Sequence, residues 1–212
     1  MVSESYDVEA SRARAVRLPR RERRQQLMAA ALEVFVAQGY HAAAMDDIAE
    51  RAGVSKPVLY QHFPGKFELY LALLDASADA IIGNCRAALE STQDNEQRVR
   101  AAVDAFYAYV EHETGAFRLV FESDLTNEPA VRQHLERVTT ECADAIAAVI
   151  HEDTGLPAPA ARLLAVSLVG MAQVSSRFWL TDAAGISRDQ AVALVSGLLW
   201  RGIGGYPLEH TD

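Results

Sequence analysis

The chain reads Lys-Pro-Val-Leu-Tyr-Gln-His-Phe-Pro-Gly-Lys over residues 56–66. The groups there that can act on a partner are cations, a phenol, an imidazole and an amide. None of them belongs to a nucleophile-and-base arrangement, so the chemistry on offer is recognition. The Gln61 amide suits bidentate pairing with an adenine edge, while hydroxyl and cationic groups suit phosphate oxygens. Upstream, seven arginines fall within residues 12–24. They read either as a solvated basic tail or as an arm that touches a polyanion. The net charge of −9 argues against a polyanionic partner, but its distribution does not: residues 1–65 sum to +1 and residues 66–212 to −10. A basic stripe on a near-neutral head, joined to an acidic body, suits a nucleic-acid module attached to something else.

Catalytic chemistry is not expected. The sequence has no P-loop, no nucleophile elbow, no metal-ligand pair at helical spacing and no Glu-x-x-His bundle motif. Glu111-His112-Glu113 comes nearest, but neighbouring residues on a helix do not face one site. No cofactor and no metal are expected. The two cysteines, Cys85 and Cys142, form no zinc or disulfide framework. They read as small apolar residues of a reducing cytoplasm. The N-terminus has arginines where a secretory apolar core would lie. No run reaches ~18 uninterrupted apolar residues, so no membrane partner is expected; the longest, 163–174, is broken by Ser167, Gly170 and Gln173.

The elements that must hold these groups read as helices almost throughout. An all-α fold of about nine helices is expected. The first covers 20–38, opened by Pro19 and closed by Gly39. Short helices over 45–52 and 56–63 follow, the second capped by Ser55 with Pro57 in its first turn. A long helix runs over 66–90. Further helices cover 96–113 (ended by Gly115), 117–122, 130–152 and 158–180, and a last one capped by Ser187 runs to about residue 203.

Ala49, Gly53 and Val54 sit where a helix-turn-helix needs them. The crossing point must be small, which Ala49 satisfies, and the turn must be left-handed, which Gly53 allows. Ile48, Val54 and Leu59 frame the pair. Residues 20–70, with MDDIAERAGVSKPVLYQHFPGKFELY at their core, resemble the DNA-binding head of the tetracycline-repressor (TetR) family. The resemblance implies a cytoplasmic homodimer on palindromic double-stranded DNA, acting as a repressor released by a small-molecule effector. It puts Lys56, Pro57, Val58 and Gln61 against bases and Tyr60, His62 and Lys66 on phosphate. Ala44 and Met45, at the start of the second helix, and Arg17 and Arg20, in and just beyond the arm, join that surface. The sequence departs from the family at Ala43 and Ala44, where Thr or Ser is usual. This motivates an alternative: a helical ligand-binding module with lost or altered DNA binding.

The expected organisation is an Arg-rich flexible arm (1–19), a helix-turn-helix domain (20–65), an effector and dimerisation domain (66–205) and a flexible tail (206–212). Phe106, Tyr109, Phe117, Phe121, Met171, Gln173, Arg177 and Phe178 are candidate effector contacts, although aromatic stripes at helical spacing serve a core equally well. Gln173 and Arg177, four apart, could orient a polar end, and an inward Arg177 would favour an anion. The last two helices carry small and apolar stripes. From them Leu168, Ala172, Leu194 and Leu198 are the candidate dimer contacts.

Overall fold

The computed structural model describes residues 18–121, 125, 127–181 and 185–202, with the side chains of 120 and 121 excepted. The arm with Arg17, the expected tail and the Phe121 side chain lie outside the described residues. Those described fold into nine helices without a strand: α1 (Arg20–Ala42), α2 (Met45–Arg51), α3 (Lys56–His62), α4 (Lys66–Glu90), α5 (Asn95–His112), α6 (Thr114–Phe121), α7 (Pro129–Thr154), α8 (Ala158–Leu180) and α9 (Arg188–Arg201).

The head is α1 to α3. Leu27, Ala31, Val34 and Phe35 recur at helical spacing along α1 and are all buried, together with Ile48, Ala49 and Leu59 from the next two helices. The helical course of α1 is broken at Gly39 (φ 76°), where closure was expected, and one more turn follows it. Gly53 has φ 64°. A side chain there would be strained, so the turn between α2 and α3 depends on this glycine. Ser55 occupies the N-cap of α3, but its hydroxyl makes no capping bond. The expected cap at Ser187 is present as a reciprocal capping box with Gln190.

One apolar core runs unbroken from Leu27 in α1 to Val169 in α8, so head and body share it. In the body α4 packs on α5 and α7, α7 on α8, and α5 on α9. A smaller cluster, centred on Val103, Tyr107, Ala191 and Val192, joins α5 to α9. Two aromatic side chains close it. The Tyr107 hydroxyl donates to Ser175 Oγ (2.8 Å), and Trp179 Nε1 donates to the Ile186 carbonyl (3.0 Å).

Gly115 corrects the sequence reading. It does not end a helix but lies in the first turn of α6, against α1. A Cβ at this position would sit 3.0 Å from Val36 Cγ2 and 3.9 Å from Leu32. The absent side chain is what lets α6 touch the head. Tyr70, fully buried, reinforces the junction by donating its hydroxyl to the Leu119 carbonyl at 3.2 Å. Head and body are therefore joined through α6 as well as through α4.

Candidate nucleic-acid interface and effector cavity

Leu59 anchors α3 to the head core, which turns Lys56, Pro57, Tyr60 and Gln61 to solvent; Val58 and His62 are half-buried. Tyr60 is 47% exposed, so its ring is not spent on the core. Lys56 meets Asp46 of α2 at 2.5 Å. Both side chains are exposed, and such a pair is weak enough to be exchanged for a nucleic-acid anion. Beside α3 lies a hollow lined by Arg20, Arg23, Val58, Gln61 and His62. Burial, and then Arg20, Arg24 and Arg23, hold the His62 imidazole below its usual value. The Arg24 guanidinium lies 4.2 Å over the Phe63 ring and donates to the His62 carbonyl at 3.3 Å, pinning the end of α3. An imidazole, an amide and arginines around one hollow are groups that suit an anion. Arg23 was not singled out in the sequence, although it lies three residues from Arg20 on the same helical face.

Two expected contacts need correction. Met45 is 8% exposed, and its side chain fills the head core. Ala44 and Asp46 are exposed there, and α2 has no side-chain cap. Lys66 was expected on phosphate. Its ammonium donates instead to the carbonyls of Tyr40 (2.7 Å), His41 (3.2 Å) and Ala43 (2.8 Å), and it lies 4.5 Å from the Tyr40 ring. Its three donors are thereby used to clamp the end of α1 onto the start of α4.

Between α4, α5, α7, α8 and α9 lies a cavity of about 100 Å³. Residues Ile81, Cys85 and Leu89 form one stripe on α4, and Val138, Cys142 and Ile146 form another on α7. Each stripe recurs every fourth residue, so it lies along one helix face. That spacing was the missed signal in the sequence. Of the expected effector contacts, Phe106, Tyr109 and Gln173 line this cavity. Gln173 Nε2 donates to Thr139 Oγ1 at 3.3 Å. The Tyr109 hydroxyl is buried and makes no hydrogen bond of proper geometry, although Ser77 lies beside it; burial pushes this phenol up. Ser77 and Glu113, the groups nearest this hydroxyl, line a separate hollow against α1 rather than the cavity; the amides on the cavity wall are those of Asn84 and Gln173.

The remaining expected effector contacts lie elsewhere. Phe117 is fully buried in the core, edge-on to Phe106 at 6.2 Å between centroids. Met171, Arg177 and Phe178 are exposed on the outward side of α8. The dimer candidates shift correspondingly. Leu168 and Ala172, both half-buried, line the cavity. The outward face of α8 instead carries Leu163 (69% exposed), Val174 (68%) and Phe178 (58%), with Leu194 (50%) on α9. Leu198 is half-buried. Among the described residues α8 is also the one helix long and apolar enough to cross a membrane, which the interrupted run had not suggested.

Residues 27–73 match the family described as bacterial regulatory proteins, tetR family, and residues 84–206 match the tetracyclin repressor-like C-terminal domain. The chain is 50% identical over 198 residues to the HTH-type transcriptional activator FasR of Mycolicibacterium smegmatis, covering 93% of this chain and 90% of that one. Among solved structures it resembles a TetR-like transcriptional regulator from a Rhodococcus species (TM-score 0.70, 25% identity, 90% of this chain and 100% of that one). It also resembles the regulator FadR from Bacillus subtilis in complex with stearoyl-CoA (TM-score 0.70, 18% identity, 84% of this chain and 98% of that one).

Proposed function

The chain belongs to the tetR family of bacterial transcriptional regulators, and on that premise we propose that it works in the cytoplasm as a homodimer reading a palindromic operator under the control of an elongated apolar effector. The observation that carries this reading is the course of α4. Its first residue is the clamp Lys66, and its distal half, with Ile81, Cys85 and Leu89, is a wall of the cavity. A ligand that displaces this wall moves a rod rooted in the head. Operator half-sites have fixed spacing, so a small swing of each head costs the dimer one of its two major-groove contacts.

The cavity suits a fatty acyl chain. Its walls are mostly aliphatic and aromatic, with the Asn84 and Gln173 amides to meet a ligand's polar end. A protein of this fold holding stearoyl-CoA supports the same class of ligand. Pairing of two copies through the outward faces of α8 and α9 is supported by the exposed stripe of Leu163, Val174 and Phe178. The domain limits follow: head 20–65 and effector body 66–205, with an arginine arm before them that adds phosphate contacts. As to sign, the family resemblance implies repression, while the activator name of the relative half identical to this chain supports activation. One docking mode serves both, because the sign depends on where the operator lies relative to the promoter.

The test is a selection of genomic fragments by the full chain, repeated with stearoyl-CoA present. An enriched inverted repeat, with affinity changed at least about tenfold by the ligand, is the expected result; the coupling is about 1.4 kcal/mol and must be reciprocal. No enriched repeat, with stearoyl-CoA still bound, would establish the alternative of a ligand-binding module whose head has lost DNA.

A further inference from the structure

Cys85 and Cys142 are the two cysteines of a 212-residue chain, and both line the cavity. Each sits at the centre of its stripe. Cys85 lies between Ile81 and Leu89 on α4, and Cys142 between Val138 and Ile146 on α7. The two stripes line the same cavity, and α4 packs directly on α7. Cys85 is half-buried and Cys142 buried, and their chain neighbours Arg86 and Glu141 pair across the same two helices at 2.9 Å. Packing alone asks for a small apolar side chain at each position and gives no reason for both to be sulfur.

We propose that Cys85 and Cys142 are a redox-active pair that hydroperoxides oxidise to a disulfide tying α4 to α7 in the cavity wall. The two thiols are inequivalent. The contact with Cys142, aided by the nearby Arg86 guanidinium, holds the Cys85 thiol below its usual value against the opposing effect of burial. The same contact, together with burial, pushes the Cys142 thiol up. Cys85 is the attacking sulfur: it is the more accessible of the two, the Arg86 guanidinium lies nearby, and the thiolate is the nucleophile. Its thiolate displaces hydroxide from the peroxide O–O bond and becomes a sulfenic acid. The hydroxide takes up the proton that Cys85 lost. The Cys142 sulfur then attacks the Cys85 sulfur, the S–O bond breaks, and the second oxygen leaves as water carrying the Cys142 proton. Two thiols and one hydrogen peroxide thus give one disulfide and two waters, and a cytosolic thiol reductant reverses the change.

The bond would hold α4 at both ends: to α1 through Lys66 and to α7 through Cys85. The effect on DNA binding rests on the function proposed above, whereas formation of the bond does not. The experiment therefore reads the bond itself. The full-length chain is treated with hydrogen peroxide, alkylated with N-ethylmaleimide and measured by intact mass and non-reducing electrophoresis. Both thiols should disappear together within one chain and return with dithiothreitol. Cys142→Ser should stop at a dimedone-trappable sulfenic acid on Cys85. Cys85→Ser should consume peroxide at least about tenfold more slowly than Cys142→Ser, following the thiolate fraction. Amide exchange in residues 78–90 and 138–146 should slow on oxidation, since a tie suppresses local opening. Both thiols surviving peroxide, a disulfide between chains, or equal oxidation rates in the two variants would each overturn the proposal. Cys85→Ala and Cys142→Ala, which keep the wall apolar, supply the same comparison should a serine variant fail to fold.

Discussion

His62 brings a titratable group to the hollow beside α3. Burial and then Arg20, Arg24 and Arg23 disfavour its cation in the free chain. A phosphate in the hollow would reverse that balance, so DNA binding takes up a proton. Affinity should therefore rise as pH falls from 7.5 toward the ordinary histidine value of about 6.5 and below. Anisotropy with the selected operator checks this; an equal pH slope in His62→Asn would remove His62 from the interface. Stability carries its own sign. A lowered folded pKa means that the unfolded chain binds more protons, so this contribution is present above about 6.5 and is lost as pH falls through the folded value. Lys66 answers a different question. Lys66→Met leaves three carbonyls without their charged donor and should lower stability by about 1–2 kcal/mol in urea titration. The salt dependence of DNA binding should not change. A shallower log–log slope with unchanged stability would mean that the ammonium leaves its clamp for phosphate.

Helices meet at two junctions where substitution gives opposite answers. At the contact of α6 with α1, Gly115→Val puts branched carbon where Val36 already lies at 3.0 Å from a Cβ. Overpacking of this kind costs about 1–3 kcal/mol. Because the junction joins head to body, operator affinity should fall with it; an unchanged operator affinity in a destabilised protein would show that α6 does not position the head. On α8 the two sides separate pairing from folding. Val174→Asp, on the outward face, should leave a folded monomer by sedimentation. Leu168→Asp, in the cavity wall, should unfold or loosen the protomer instead, as an unpaired charge is costly where water is excluded. Dimers persisting in Val174→Asp would move the interface off this face.

For the molecule as a whole, the acidic body and the arginine stripe of the near-neutral head set the response to salt. Association with DNA must release counterions at each phosphate touched. Log affinity should fall linearly with log salt, with a slope of about −0.9 per contact. Deleting residues 1–17 should flatten it if the arginine arm reaches the backbone. A salt-independent affinity measured by filter binding would be incompatible with a head that grips phosphate. On the function proposed above, the continuous core from α1 to α8 is the physical link between the cavity walls and the head.

Local chemistry made the head legible from residues alone. Helical periodicity, the left-handed turn at Gly53 and small Ala49 act over a few neighbours, so helix-turn-helix, all-α class and the long α4 all follow without knowledge of distant contacts. The side chains that α3 turns outward follow too, since Leu59 must point inward. What the tertiary structure decided were the choices between faces. Helix α8 is apolar nearly all round, with a mean hydropathy of 1.4 over its most apolar window. Its periodicity therefore could not tell Leu168 and Ala172, in the cavity, from Leu163 and Val174, outside. Lys66 carries a cation at a helix start, and only the arrival of three carbonyls from the end of α1 turns it from an anion ligand into a clamp. Gly115 reads as a stop until α1 is laid against it. Cys85 and Cys142 become a pair only when α4 and α7 lie in matching register. In each case the deciding partner is remote in the chain, and sequence spacing holds no record of it.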